Sequence, residues 1–240
     1  FGVSIEGIGS EAVFERLCHQ TSPLWIVTAN PEIVLAARRD PAYKQAVNQA
    51  DIRLVDGIGL KWMGRLFGQS WERVTGVELA EILLKEGYAK DWRVALIGGE
   101  RRIAELAAAY WRSVYPGLTL IAEQGGAVSI DGIDDERGEE ARHRLTLFAP
   151  DLILVAFGHP KQERWIARYL SEFPKVKVIV GVGGAFDYWA GRVRRAPKVM
   201  QRVGLEWLWR LMVEPKRIGR ILKAAVVFPV LAIIDRLLRR

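Results

Sequence analysis

Short apolar runs rich in β-branched residues alternate, over the first three quarters of the chain, with segments whose apolar residues recur at helical spacing. The apolar runs predict six strands, at Leu24–Thr28, Ile52–Val55, Arg93–Ile97, Leu118–Ala122, Leu152–Phe157 and Val176–Val182. The segments between them predict five helices, at Pro31–Arg38, Gly76–Glu86, Arg101–Ser113, Glu136–Phe148 and Gln162–Ser171. This alternation predicts an α/β fold, a Rossmann-like and mostly parallel sheet with helices on both faces.

From Ala196 onward the pattern becomes helical only, which predicts an α/β domain over 1–195 and a helical C-terminal appendage over 196–240. Arg210, Arg217 and Arg220 follow one another at intervals of seven and three residues, which would place them on one side of a continuous helix. An amphipathic packing helix with a solvated charged face has the same pattern, and the sequence leaves both interpretations open.

The excess of positive over negative charge lies in this appendage. The chain has 35 Lys and Arg against 28 Asp and Glu, a net charge of +7, and residues 196–240 alone hold ten basic and three acidic residues. A basic, Trp-containing tail points to an anionic partner such as membrane headgroups, a diphosphate or nucleic acid. Its longest apolar run, Ala224–Ile234, is shorter than the roughly 20 residues that span a bilayer. We therefore expect a cytoplasmic protein, peripheral on the inner face of the membrane.

Metal and cofactor chemistry has little support in the sequence. The single Cys and the three scattered His have no metal-ligand spacing, so we expect no metal. Gly57 and Gly59 begin a Gly-x-Gly pattern, but Trp62 occupies the third glycine position of the dinucleotide fingerprint. There is also no P-loop and no Asp-x-Asp pair. We expect no cofactor, and positive side chains or helix dipoles would have to neutralise any leaving phosphate.

Polar, glycine-rich segments follow most of the predicted strands. In open parallel sheets ligands bind beyond the carboxyl ends of the strands, and free N–H groups at helix N-termini bind phosphate. One such junction alone is ordinary turn chemistry, but several on one edge suggest a nucleotide or nucleotide-sugar pocket. The candidate site residues at these junctions are Thr28, Asn30, Gly57, Gly98, Gly99, Gly158, Gly184, Phe186 and Asp187.

Asp56 is the candidate general base, because it directly follows an apolar strand and precedes a glycine. The alternative, an Asx turn that bonds only its own loop, stays open. Arg73 could bind phosphate or be an ordinary surface residue, and Gln162 and Glu163 begin a predicted helix. His159 has no evident carboxylate partner in the sequence and is given no role.

Taken together, these motifs resemble the WecG/TagA/CpsF glycosyltransferase family over nearly the whole chain. The tail segment Gly204–Leu211 also fits. The matching stretches are Thr28-Ala-Asn-Pro-Glu-Ile-Val, Ala50-Asp-Ile-Arg-Leu-Val-Asp-Gly-Ile-Gly, Arg73-Val-Thr-Gly, Gly158-His-Pro-Lys-Gln-Glu-Arg-Trp, Gly181-Val-Gly-Gly-Ala-Phe-Asp and Arg194-Arg-Ala-Pro.

The resemblance implies an inverting, metal-independent enzyme that moves a sugar from a UDP-sugar to a polyprenyl-diphosphate-linked sugar. TagA-like members transfer N-acetylmannosamine to undecaprenyl-diphospho-N-acetylglucosamine for the linkage unit of wall teichoic acid. WecG-like members use the uronic acid, and others build capsule or exopolysaccharide. By resemblance Asp56 is the base, and the family's important Thr, Arg and Gln correspond to Thr28, Arg73 and Gln162. The appendage would close over the site and meet the membrane, with its arginines at Arg210, Arg217 and Arg220.

For membrane contact we expect Phe228, Leu231 and Ile234 to enter the interface. The accompanying bases would meet headgroups, and these are Lys223, Arg236, Arg239 and Arg240. Nucleic acid would explain the basic tail but not the polar strand ends, so we expect none. A non-catalytic, membrane-associated sugar- or lipid-binding regulator is the alternative function. The sequence leaves open whether the tail packs on its own body or on a neighbour in a homo-oligomer.

Overall fold

The computed structural model describes residues 1–215 and 218–238. One six-stranded sheet forms the centre, in the order β2-β1-β6-β5-β3-β4, and every neighbouring pair of strands is parallel. All six predicted strands are confirmed, with ends shifted by up to two residues. The strands are β1 Leu24–Ala29, β2 Ile52–Val55, β3 Val94–Gly98, β4 Leu120–Glu123, β5 Leu152–Ala156 and β6 Val178–Gly181.

Helices surround this sheet, and after β6 the regular structure of the described residues is helical. Up to β6 they are α1 Ser10–His19, α2 Pro31–Arg39, α3 Pro41–Gln49, α4 Ile58–Leu66, α5 Gly76–Ala89, α6 Ile103–Val114, α7 Glu136–Phe148 and α8 Lys161–Tyr169, the last followed by a 3₁₀ turn, Leu170–Glu172. After β6 come α9 Ala185–Trp189, α10 Lys198–Arg202, α11 Glu206–Val213, α12 Ile218–Leu222, a π-helical segment Lys223–Val227 and α13 Phe228–Leu238.

The sheet is buried on both faces, as expected for parallel strands covered by helices. Because side chains alternate along a strand, Leu24 and Ile26 enter one core layer while Trp25 and Val27 enter the other. The first layer packs against α5 and α6, and the second packs against α2, α3 and α8. Nearly all strand residues are apolar, so the polar residues that follow each strand are collected at one edge of the sheet.

The five predicted helices are confirmed, but α1, α3, α4 and α9 were missed. For α3 the signal was present, because Asp40 caps it by accepting a hydrogen bond from Tyr43 N at 2.9 Å and Pro41 follows at the first helical position. In α4 the glycines at 57, 59 and 64 obscured the helical period. The tail does not form one continuous helix through the arginines, since α11 ends at Val213, before the helix-breaking Pro215, and α12 begins at Ile218.

The tail packs on its own body through one face of α13. Phe228 and Ala232 are buried in the second core layer, and Leu231 packs partly against it. The ring of Phe228 stacks on that of Phe1 with centroids 5.6 Å apart. The prediction that Phe228 enters a membrane is therefore wrong, because the body already covers its side chain. Leu231 is only partly covered and Ile234 is 42% exposed, so for these two residues membrane contact stays a prediction. No helix in the described ranges is long and apolar enough to cross a membrane.

Candidate active site

A pocket of about 990 Å³ lies at the edge of the sheet where the strands end. The segments that follow β1, β2, β3, β5 and β6 form its floor and walls. Residues of α11, α12 and the π-helical segment cover one side, so the body and the tail share a single cavity. The polar residues that follow these strands therefore line one pocket.

Asp56 is half-buried and lines this pocket, one residue beyond β2. Its backbone N–H donates a 2.8 Å hydrogen bond to Ala29 O at the end of β1, which fixes the start of the loop. Its carboxylate accepts a hydrogen bond from Gly76 N–H in the first turn of α5. The side chain therefore points across the strand ends towards a helix N-terminus, where a negative charge is stabilised.

The pKa of Asp56 is raised to about 7, chiefly because burial disfavours the carboxylate. The positive charge of Arg73 lowers this pKa, while the carboxylates of Glu206 and Glu78 raise it. A general base with a pKa near the working pH is well matched to proton abstraction, since it is both available and basic enough. Asp56 thus has the environment of a base rather than of a turn residue alone.

Arg73 is held beside Asp56 by backbone pairing. It forms an isolated parallel bridge with Val55, and Val74 N donates to Val55 O at 2.9 Å. The guanidinium donates a 2.9 Å hydrogen bond to the carbonyl oxygen of Gln201 in α10. Arg73 therefore lines the pocket and also joins the body to the tail.

The first turn of α5 approaches Thr28 closely. Thr75 caps this helix in a capping box, in which Glu78 N donates to Thr75 Oγ1 and Thr75 N donates to the Glu78 carboxylate. A methyl group added at Gly76 would lie only 3.0 Å from Thr28 Oγ1. Thr28 is buried, and its hydroxyl donates a long hydrogen bond of 3.4 Å to Gly181 O. Its oxygen atom thus lies at the pocket floor.

Gln162 also lines the pocket, and like Thr28 it lies against Gly181. Its Oε1 accepts a 3.1 Å hydrogen bond from Gly183 N, and its Nε2 donates a 2.8 Å hydrogen bond to Glu163 Oε1. Both side chains are almost fully buried. The glycine at position 181 permits this approach, because a Cβ added there would lie only 2.6 Å from Gln162 Nε2. The orientation of the Gln162 amide is therefore fixed from both ends.

Behind Gln162, Glu163 belongs to a buried polar network that the sequence did not reveal. Tyr43 donates a 3.1 Å hydrogen bond to Glu163 Oε2, and its hydroxyl lies 2.8 Å from His159 Nδ1. Burial, followed by the charge of Glu163, raises the pKa of Tyr43. His159 Nδ1 is 3.7 Å from Glu163 Oε2, so the statement that His159 lacks a carboxylate partner is wrong. His159 also lines the pocket.

The tail contributes Arg210 to the pocket wall. Its guanidinium lies over the Tyr188 ring at 5.0 Å, and Nε is 3.3 Å from Glu214 Oε2. An added Cβ on Gly184 would lie 2.6 Å from Arg210 Nη2. That Nη2 is buried and makes no hydrogen bond with the described residues. A buried guanidinium nitrogen with unused donors is suited to an anionic ligand.

Arg220 also lines the pocket, but its guanidinium forms a two-point ion pair with Glu32, at 2.9 and 2.5 Å. Arg217 lies outside the described residues. Arg210 and Arg220 therefore reach the cavity from different helices, and Arg220 is neutralised by a body residue in this arrangement.

Most residues predicted from the sequence do meet in this pocket. Those on its wall are Thr28, Asn30, Asp56, Gly57, Arg73, Gly99, Gly158, Gln162, Gly184, Phe186, Asp187, Arg210 and Arg220. Asn30 also caps α2 by accepting from Glu32 N and Ile33 N. Gly98 and Glu163 do not line the pocket. Gly98 is the last residue of β3, and Glu163 lies behind Gln162.

Several residues that line the pocket were given no role from the sequence, although two of them lie in the tail segment Gly204–Leu211. Glu206 and Trp207 come from α11, Tyr188 from α9 and Trp62 from α4. Aromatic residues at helical spacing resemble core positions, yet Trp62 is 67% exposed. Within residues 1–215 and 218–238 no three His, Cys, Asp or Glu side chains cluster closely enough to hold a metal ion.

The chain is similar to known proteins of one glycosyltransferase family. A family model described as "Glycosyl transferase WecG/TagA/CpsF family" matches residues 1–240. Two curated proteins from Staphylococcus aureus, strains MRSA252 and NCTC 8325 / PS 47, are each 36% identical to this chain over 209 residues. The match covers 87% of this chain and 79% of each relative. Both relatives are named N-acetylglucosaminyldiphosphoundecaprenol N-acetyl-beta-D-mannosaminyltransferase.

Proposed function

Since this chain belongs to the WecG/TagA/CpsF glycosyltransferase family, we propose that it transfers N-acetylmannosamine from its UDP-sugar to undecaprenyl-diphospho-N-acetylglucosamine. The names of the Staphylococcus aureus relatives support this acceptor and this sugar. The observation that carries the proposal is the half-buried Asp56 carboxyl, with a pKa of about 7, on the wall of the strand-end pocket beside Arg73. In such enzymes the product is the linkage unit of wall teichoic acid.

Asp56 serves as the base in this reaction. An acceptor hydroxyl oxygen attacks the anomeric carbon of the donor sugar, and its proton passes to the Asp56 carboxylate. The bond from that carbon to the UDP oxygen breaks, and its electron pair leaves with UDP. Attack opposite to the leaving group inverts the anomeric centre. The protein lowers the barrier by holding the hydroxyl, the carbon and the base in line.

Positive side chains neutralise the charge that develops on UDP. Arg73 lines the pocket beside Asp56, and Arg210 presents a buried Nη2 with unused donors. Thr28 and Gln162 position the donor from the pocket floor, supported by their fixed hydrogen bonds. These groups supply electrostatic stabilisation without a metal ion, so we propose a metal-independent transfer.

The appendage, residues 196–240, completes the site built by residues 1–195 and brings it to the inner face of the membrane. The apolar residues that α13 and the preceding π-helical segment leave exposed support this, and they include Val226, Val230 and Ile234. Lys223 and Arg236 flank them, and each such base contributes about 1 kcal/mol near an anionic surface. Membrane contact through this face would keep the enzyme beside its lipid-linked acceptor.

The test is UDP release from a panel of UDP-sugars, with and without a short-chain polyprenyl-diphospho-N-acetylglucosamine. We expect release from UDP-N-acetylmannosamine that requires the acceptor, persists in EDTA and is lost in Asp56→Asn. Release only from another donor, such as the uronic acid, would keep the transferase and change the polymer. Ligand binding without UDP release from any donor would instead favour a non-catalytic regulator.

A further inference from the structure

Two helices carry matching apolar stripes away from the pocket. In α4, Ile58, Trp62 and Leu66 are four residues apart, so they lie one above the other on one side of the helix. In α13, Pro229, Ile233 and Leu237 repeat the same spacing. The two helices contact each other. Each stripe extends eight residues, or about 12 Å at the helical rise.

These stripes connect two cavities. Ile58, Trp62 and Pro229 belong to the wall of the strand-end pocket. Leu66, Ile233 and Leu237 belong to a second cavity of about 410 Å³, together with Phe67, Gly68 and Arg236. The stripes therefore begin in the first cavity and end in the second. We call the four residues Trp62, Leu66, Ile233 and Leu237 the apolar track.

The side chains of the apolar track are exposed, in contrast to the face of α13 that packs on the body. Trp62 is 67%, Leu66 64% and Leu237 64% exposed, whereas Phe228 on the opposite face of α13 is 2% exposed. The body thus already occupies the side of α13 that bears Phe228. A run of large exposed apolar side chains usually marks a binding surface.

Charge changes along the same path. Besides Arg73 and Arg210, which we assign to the donor, Lys161, Arg192 and Arg220 line the strand-end pocket, where the stripes begin. The four residues of the apolar track carry no charge, and Arg236, which lines the second cavity, lies over the Phe67 ring at 5.3 Å at the far end. A matching ligand has an anionic head and a long apolar chain that leaves the head in one direction.

We infer that the apolar track binds the first isoprene units of the polyprenyl chain of the acceptor, while the diphosphate lies in the strand-end pocket. This rests on the proposed function, because it takes the acceptor to be a polyprenyl diphosphate. The continuity of the track with the pocket favours a chain attached to the substrate. A flat bilayer surface or a second copy of this protein would not require stripes that start inside the active site.

The experiment measures kcat/KM for acceptors that differ only in the number of isoprene units, with the donor at saturation. Wild type is expected to gain about tenfold as the chain lengthens from one unit to four, and then to level off, because added apolar surface is buried only along the track. The double variant Leu66→Ser/Leu237→Ser is expected to lose this gain. Leu147→Ser, an equally exposed residue of α7, should retain it.

A second readout does not depend on transfer. Geranylgeranyl diphosphate carrying a terminal photoreactive group is crosslinked to the full chain, and the modified peptides are identified. The inference is supported if the label lies within α4 and α13, and if excess unlabelled geranylgeranyl diphosphate suppresses the labelling while inorganic diphosphate does not. This result would hold even if no donor gave transfer. Chain-length independence with normal turnover, or labelling elsewhere, would overturn the inference and leave the proposed function standing. If the double variant lost activity only on vesicles and kept the wild-type dependence on chain length, the track would be assigned to the bilayer. That result would also overturn the inference.

Discussion

The guanidinium of Arg73 donates a 2.9 Å hydrogen bond to the carbonyl oxygen of Gln201, 128 residues further along the chain. Arg73 lies beside Asp56 and lowers the pKa of that carboxyl, while Gln201 belongs to the first helix of the tail. The environment of the proposed base is therefore set partly by where the tail sits. Catalysis and tail docking should be coupled through this contact.

The activity of the wild-type enzyme should depend on the ionisation of Asp56. Because its pKa is about 7 and the base must be ionised, kcat/KM should rise with pH through about 7 and then level off. Asp56→Asn should lower kcat by about 10²–10⁴-fold and abolish this dependence. The measurement is the pH–rate profile of both proteins; an unchanged acidic limb in Asp56→Asn would assign it to another group.

Glu206→Gln provides the matched test of this assignment. The carboxylate of Glu206 raises the pKa of Asp56, so its removal should move the acidic limb of the profile to lower pH. A variant that keeps activity but shows the wild-type midpoint would contradict the electrostatic account of the site.

The same raised pKa predicts a stability change with a defined sign. In the unfolded chain Asp56 has the ordinary carboxyl pKa of about 3.9, whereas in the folded protein its pKa is about 7. The unfolded state therefore releases this proton at lower pH, and the wild type loses stability as pH rises from about 4 to 7. Asp56→Asn cannot ionise and should gain Tm relative to wild type over that range. The gain should be absent below pH 4 and correspond to about 2–4 °C for each kcal/mol recovered.

Tail docking should depend on Phe228, which is 2% exposed. Phe228→Ala leaves a cavity, and such a change costs about 3–5 kcal/mol. Since Phe228 joins the tail to the body, we expect faster hydrogen exchange in α13, unchanged exchange in the central strands and lower kcat. Val226→Ala removes an exposed side chain on the same segment and should leave α13 protected.

Tyr43 should orient the active-site floor without touching substrate. Tyr43→Phe removes a donor from the buried Glu163 carboxylate and should cost about 1–3 kcal/mol in the free energy of unfolding, measured in urea. Because Glu163 also holds the Gln162 amide, the donor KM should rise. Tyr110→Phe, at an exposed tyrosine of α6, is the control that should change neither quantity.

Arg210 should bind the diphosphate of the donor. Arg210→Gln removes the buried Nη2 donors and should weaken UDP binding by about tenfold or more, measured by calorimetry. Arg202→Gln removes an exposed base from the neighbouring helix α10 and should bind UDP like wild type. Equal losses in both variants would mean that the net charge of the tail, rather than the Arg210 contact, attracts the nucleotide.

The sheet and the floor of the site could be predicted because both depend on local pattern. The carboxyl ends of parallel strands meet at one edge of a sheet. The sequence alone therefore predicts that Thr28, Asp56 and Gln162 lie near one another. Asp56 directly follows an apolar strand, which was enough to identify it as a candidate base. The sequence shows Gly76 but does not show that the absence of a side chain there allows close contact with Thr28.

The remaining contacts depend on long-range packing that no spacing reveals. Tyr43 and His159 are 116 residues apart, and α3, which carries Tyr43, was itself missed. The buried face of α13 was mistaken for a membrane face, because Phe228 is as apolar as a membrane contact would be. Only the docked position of the tail distinguishes its core-facing side from its exposed side.

The most direct measurement is to identify the lipid product formed from UDP-N-acetylmannosamine and a short-chain polyprenyl-diphospho-N-acetylglucosamine. The account predicts that the acceptor gains one N-acetylhexosamine by mass spectrometry, that NMR finds the new linkage inverted relative to the donor, and that Asp56→Asn forms almost none. Free N-acetylmannosamine with an unchanged acceptor, or a product formed equally well by Asp56→Asn, would contradict it.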